Sequence, residues 1–271
     1  MSPYLAAIYI YPIKSLDGIN INQATIIESG ALQNDREFAL FDKQGHFING
    51  KRNAKIHLLR ATFDARFRKV SLQIQGTNQK AIFHVDDEQT LLEAWFSDYF
   101  GFPVKFVQNT ITGFPDDTDA KGPTIISTST IEEVASWFAD MSVDEMRLRL
   151  RANIEIAGVP PFWEDQLFSE AGKYVQFKIG EVLFEGINPC QRCVVPSRDS
   201  QTGKVTTNFQ KIFVAKRKES LPSWTMPTRF NHFYSLSVNT NIPASEAGKI
   251  LRQADEVKIL GICESNLRIV D

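Results

Sequence analysis

The chain of 271 residues carries 30 Lys and Arg against 32 Asp and Glu, for a formal charge of −2 and a pI near 6.1. With 43 % hydrophobic and 23 % charged residues, the composition excludes collagen-like, disordered and polycationic nucleic-acid-binding classes. At ~150 residues per domain the length predicts two domains, and no apolar run approaches the ~18 residues of a membrane span.

Short β-type runs predict strands over residues 4–11, 24–28, 37–42, 56–62, 69–74 and 81–85, separated by polar turns such as Asp42-Lys43-Gln44-Gly45. The first run follows no basic segment and stops at Pro12, so it reads as a strand rather than a signal peptide. Leu91, Leu92, Trp95 and Phe96, three and four apart, predict a helix over 88–100 that Gly101 and Pro103 end. Residues 109–123 lose periodicity and collect turn formers, which predicts an inter-domain connection. Residues 124–127 then lead into a helix with a capping box at Ser129 and Glu132, and Ser142 with Glu145 predicts a second capped helix. Strands are expected over 153–157, 174–179 and 181–187, the last two joined at Gly180, followed by a helix over 208–217 and strands over 233–238 and 256–260. The expected fold class is mostly β with some α (α+β), built as two consecutive β-barrel-like domains over residues 1–112 and 113–271.

Residues 188–203 concentrate the chemistry. Cys190 and Cys193 lie three apart on a loop with Arg192 and Arg198 near in sequence, and a neighbouring cation favours the thiolate that ligates metals or attacks electrophiles. A thioredoxin-like reading needs a following helix, which Pro196 disfavours. A structural zinc site needs two more ligands, and Cys263 stands alone; two inert buried thiols remain an equal reading. The odd cysteine count favours a reducing, cytoplasmic setting with free thiols. Gly45 to Gly50 and Lys51 satisfy the start of a P-loop, but Arg52 replaces the required hydroxyl residue and no helix follows, so this is a hairpin arm. His46, His57, His84 and His232 lack metal spacing and are expected in packing or solvent.

The ordered set Tyr11-Pro12-Ile13-Lys14-Ser15, Asn34-Asp35-Arg36, Arg149-Leu150-Arg151-Ala152-Asn153 and Cys190-Gln191-Arg192-Cys193, then Asp199 and Thr202-Gly203, resembles the MOSC proteins with an N-terminal MOSC β-barrel domain. Amidoxime-reducing components and YcbX-like reductases are the best-known members. The resemblance runs through nearly the whole chain and implies a molybdenum cofactor, in its molybdopterin form, held between two β-rich halves. It places the metal ligand on Cys193, with Cys190 beside it or in packing and the alternative ligand, and implies Lys14, Ser15 and Arg36 as the grip on the pterin phosphate. Arg151 and Asn153 would approach from the second half. Ser127 and Thr128, at the mouth of a helix, are further candidate donors, with capping as the alternative, and Lys51 or Arg52 is a candidate to face the anionic end. Arg192 belongs to the thiol's cationic surroundings, and Asp199 is the candidate general acid.

The implied activity is reduction of N-hydroxylated or otherwise N-oxygenated small molecules by oxygen-atom transfer; the alternative is a non-catalytic cofactor carrier or sulfur-transfer module with a persulfide on Cys190 or Cys193. Self-sufficient relatives append a [2Fe–2S] domain that needs four thiolates in a characteristic run, which this chain does not contain, so a separate electron-transfer protein is the expected partner. Neither nucleic acid nor membrane is expected. Pro160 and Pro161 depart from the usual loop and leave substrate choice open.

Overall fold

Leu5, Ile8 and Ile10 are fully removed from water on the first strand, and a bulge between Leu5 and Ala7 reconciles their uneven spacing with the two-residue period of a strand. The computed structural model describes residues 2–264. Its first eight strands are β1 (Tyr4–Ile10), β2 (Ile19–Ile21), β3 (Gln23–Thr25), β4 (Phe38–Phe41), β5 (Leu59–Phe63), β6 (Lys69–Ile74), β7 (Lys80–His84) and β8 (Lys105–Gln108), with α1 (Gln89–Phe100) before β8. There follow β9 (Ile125–Ser127), α2 (Thr128–Ser136), α3 (Val143–Leu150), β10 (Ile154–Ala157), β11 (Lys173–Ile179) and β12 (Val182–Gln191). Then come α4 (Phe209–Glu219), β13 (Ser235–Asn241), β14 (Ile250–Arg252) and β15 (Val257–Glu264). The fold is thus mixed α/β, dominated by sheet.

Eight strands form one sheet in the order β15-β11-β12-β13-β9-β10-β1-β2, and β5-β6-β7, β4-β8 and β14-β3 form smaller ones. The two closed barrels expected from the strand-rich sequence are not formed among the described residues. The segment β9, α2, α3 and β10 is a crossover whose two strands run parallel. It lays helices on one face of the large sheet, so that face is buried by Ile126, Val134, Phe209 and Phe213 while the other packs Leu5, Ile8, Phe177 and Phe184. The sheet nonetheless curls far enough that β1 meets the approach to β15: Tyr4 bridges Glu256, and Leu5 N–H bonds to the Asp255 carbonyl at 2.8 Å. A third core, with Phe38, Leu59, Phe96 and Phe106, holds the segment between β4 and β8. The strand β1, placed by its sequence in the first half, pairs with β2 on one side and crosses to β10 on the other, Ile8 opposite Ile154.

Local expectations are met in several places. Gly101 ends α1 in the left-handed region at φ 81°, and the Ser142 hydroxyl accepts from Glu145 N–H at the start of α3. The capping box at Ser129 is corrected: Ser127 caps α2, accepting from Thr130 N–H, while Ser129 lies inside the first turn and donates to the Val159 carbonyl at 2.8 Å. Residues expected to open a strand at 56 instead complete a 3₁₀ turn, Ala54–Leu58, and the strand starts at Leu59. Among the described residues no helix is long and apolar enough to cross a membrane.

Candidate functional site

Three local devices bring the first-half residues to one place. After β1 the chain turns at Pro12, and Ser15 adopts φ 72°, which turns the backbone at the end of the Lys14-Ser15 pair. Arg36 (φ 50°) and Arg151 (φ 53°) are also left-handed, a conformation that costs a side-chain-bearing residue roughly 1–2 kcal/mol and that concentrates where function constrains the backbone. Arg151 is the αL cap of α3, so the end of that helix delivers its guanidinium. The ladder between β12 and β13 brings the cysteine loop to the same place, with Arg192 N–H bonded to the Tyr234 carbonyl.

These segments enclose a cavity of about 580 Å³. Its wall holds ten lysines and arginines against four aspartates, in a chain whose overall charge is −2. Such an imbalance in a cleft focuses a positive potential and selects anions. Lys14, Ser15, Arg36, Arg151, Asn153, Cys190, Arg192 and Cys193 all line it, so eight side chains singled out from motifs more than a hundred residues apart converge. Lys51 lines it too.

The ring of Tyr11 is the keystone. Arg151 stacks on it at 4.2 Å and Arg36 at 5.0 Å, and its hydroxyl donates to the Ala152 carbonyl at 3.1 Å. Burial pushes the Tyr11 phenol up to about 12, although Arg151 and Arg36 pull the other way. Burial likewise lowers Arg151. It works against charge on Arg36 as well, but Asp35, paired with that guanidinium, outweighs it and holds Arg36 above its ordinary value. Asn153, 2 % exposed, accepts from Arg36 at 3.2 Å and donates to the Tyr9 carbonyl at 3.0 Å, tying the two halves. Lys14 Nζ donates to the Phe114 carbonyl at 2.9 Å and to Asp116 at 2.7 Å. Burial lowers Lys14, against the opposing pull of Asp116.

At the other end both loop thiols are free and half-buried. Arg192 Nη1 donates to Cys190 Sγ at 3.4 Å, and Val195 N–H to Cys193 Sγ at 3.5 Å. Among the described residues, five buried polar atoms on the wall have no protein partner: His57 Nε2, Arg60 Nε, Asn188 Oδ1, Arg192 Nε and Arg198 Nε. Buried donors and acceptors are rarely left so, and their clustering on one wall marks a place built to bind something polar.

Other expected site residues lie elsewhere. Ser127 is fully buried as the helix cap, and Thr128 is beside it; neither lines the cavity. Arg52 is exposed at the hairpin arm, outside the wall. The Asp199 carboxylate accepts from Thr202 Oγ1 at 2.7 Å and from Thr202 N–H at 2.8 Å, which makes it the anchor of a loop turn outside the wall. These bonds and Arg149 hold its carboxyl below the usual range even though burial works the other way.

Conversely, His57, expected in packing or solvent, is on the wall, and burial together with the neighbouring Arg151, Arg198 and Arg60 lowers its pKa. Arg60, which bridges the His57 carbonyl (2.6 Å) and the Ser200 carbonyl (3.2 Å), had no local motif to reveal it. Among the described residues no group of three or more His, Cys, Asp or Glu is arranged to hold a metal.

Residues 2–144 match the MOSC N-terminal beta barrel domain, and residues 120–242 match the MOSC domain. The chain is similar to molybdenum cofactor sulfurases: 22 % identical to that of Homo sapiens over 253 residues, covering 76 % of this chain and 28 % of that protein. The corresponding values are 23 % over 256 residues for Oryza sativa subsp. japonica (77 % and 30 %) and 24 % over 232 for Drosophila mojavensis (75 % and 29 %). The chain spans less than a third of the length of these curated relatives.

Proposed function

Because the chain belongs to the MOSC family, with the N-terminal beta barrel domain followed by the MOSC domain, we propose that it binds a molybdenum cofactor of the molybdopterin form in the cationic cavity and reduces N-hydroxylated or N-oxygenated small molecules. The observation that carries the reading is the joining, on one wall, of a free thiol at Cys193 to a cluster of unpaired buried polar atoms and a large excess of cations. The residues suit the group: a phosphate needs Lys14, Ser15 and Arg36, a polar pterin suits Arg151, Asn153 and Asn188, and a soft metal suits a thiolate. When bound, the cofactor supplies two-electron oxygen-atom transfer.

The protein's own contribution is positional and electrostatic. Arg36 and Arg151, fixed by the Tyr11 ring, hold positive charge at one end, and Arg192 and Arg198 hold it at the thiol end. The reaction breaks an N–O bond, consumes two electrons and two protons, and releases water. The electrons would come from a separate electron-transfer protein, and His57, with Nε2 unpartnered on the wall, is the wall residue best suited to hand on a proton.

The similarity to molybdenum cofactor sulfurases favours a second reading, a cofactor carrier or sulfur-transfer module. Arg192 beside the Cys190 sulfur would stabilise a persulfide there. One experiment separates the two: protein from a cofactor-competent host is analysed for molybdenum, then offered an amidoxime with reduced methyl viologen. Turnover in proportion to molybdenum content supports the reductase. Molybdenum without turnover, with a sulfane sulfur on Cys190 or Cys193 by mass spectrometry, supports the second reading, and protein without molybdenum sinks both.

A further inference from the structure

The segment between Gly113 and Gly122 is a strap pinned at both ends. At one end Phe114 N–H bonds to the Arg36 carbonyl at 2.8 Å, and Gly113, at φ 61°, lies so close to the Asp35 carbonyl that a Cβ would meet it at 2.7 Å. At the other, Gly122 N–H bonds to the Thr240 carbonyl at 2.8 Å, and a Cβ there would come within 2.6 Å of that oxygen. Between these ends Asp117 accepts from the Asn239 amide at 3.0 Å, and Asn241 accepts from Lys121 N–H and donates to the Asp119 carbonyl, so what can move without breaking a strap contact is the Asp116 side chain itself.

Asp116 and Lys14 are unequal partners. The Lys14 side chain is 6 % exposed and its ammonium is held by the Phe114 carbonyl and over the Phe47 ring at 5.1 Å, whereas the Asp116 side chain is 61 % exposed. If the pair opens, the carboxylate leaves for water while the ammonium stays. The other cations facing Asp116 are Arg36 and Lys51. Arg36 already has Asp35, which is itself fixed by accepting from Tyr11 N–H at 2.8 Å, so the displaceable carboxylate at this end is Asp116.

We propose that Asp116 is an internal counter-anion, held on the strap, that occupies the Lys14 position and is exchanged for the phosphate of an incoming ligand, so that it sets the phosphate affinity of the cavity. This rests on the proposed function only in naming the phosphate's owner; the exchange itself is a property of Lys14, Asp116 and any phosphate. A dianion replaces a single carboxylate without leaving Lys14 unpaired, whereas a neutral ligand gains nothing from opening the pair.

The test is calorimetric titration of the purified chain with inorganic phosphate at low salt, using the wild type, D116N, K14Q and the double variant. D116N tightens phosphate binding roughly three- to fivefold, the loss of a partly exposed competing ion pair, and K14Q weakens it. In the K14Q background D116N has no further effect. A melting series checks folding and reads the same exchange: D116N melts at or below the wild-type temperature without phosphate and gains more than the wild type when phosphate is added. Unchanged or weaker phosphate binding in D116N, or equal tightening with and without Lys14, overturns the proposal. Molybdenum retention is measured separately, so a chain that exchanges phosphate but holds no molybdenum refutes the proposed function and leaves Asp116 in its role.

Discussion

Tyr11 holds two guanidiniums that would otherwise repel each other across a poorly hydrated wall. Tyr11→Phe keeps the ring and loses only the bond to Ala152, so urea unfolding should show a loss of about 1 kcal/mol. Tyr11→Leu removes both stacking partners as well and should cost roughly 2–4 kcal/mol. The two thiols should separate equally well. In protein from a cofactor-competent host, Cys193→Ser should reduce bound molybdenum to background by elemental analysis, whereas Cys190→Ser should retain most of it; the reverse pattern would move the ligand to Cys190. At this scale, side chains embedded in short motifs could be read from the chain, as with Lys14, Arg36 and Arg151. Arg60 and Asp116 could not: each reaches the wall through a partner far away in sequence, the Ser200 carbonyl for one and Lys14 for the other.

The helix α2 shows how a local signal can be correct in kind and misplaced. Residues 127–130 are Ser, Thr, Ser and Thr, so any of several hydroxyls could cap, and Ser-x-x-Glu at Ser129 is the motif that stands out. The structure uses Ser127, whose hydroxyl also lies 2.7 Å from that of Thr130, and the Thr130 hydroxyl accepts from Phe162 N–H at 2.5 Å and donates to Glu164 at 2.9 Å. Glu164 is 1 % exposed and has one oxygen unpaired; burial, reinforced by Asp165, pushes it up to about 7. The folded state therefore binds this proton more tightly than the unfolded chain, and stability should fall as pH rises from about 4.5 through about 7. Glu164→Gln removes that slope, and denaturant melts at pH 5 and pH 8 should find the variant favoured at the higher pH by a few kcal/mol, ~3 at most. Equal slopes for both proteins would show that Glu164 stays ionised.

At the scale of the whole molecule, the pairing of β1 with β10 governs how far the halves can be separated. A short β-type run identified β1 as a strand but carried no information about its neighbour, which is why the eight-stranded sheet could not be anticipated. Ile8 lies in the core of that sheet opposite Ile154, so Ile8→Ala should cost about 2–5 kcal/mol, detectable as a lowered urea midpoint at constant slope. A fragment of residues 113–264 should lack cooperative unfolding, because it would bare the β10 edge and the apolar floor beneath it. A sharp melt of that fragment would show the second half to be self-sufficient.

The same ladder imposes a schedule on the newborn polypeptide. Tyr4 to Ile10 is made roughly 150 residues before the segment it must join, which at translation speeds of about 5–20 residues per second is a wait of many seconds. During that interval a sticky ribbon with only β2 beside it has one bare edge, open to chaperones or to the same ribbon on a neighbouring nascent copy.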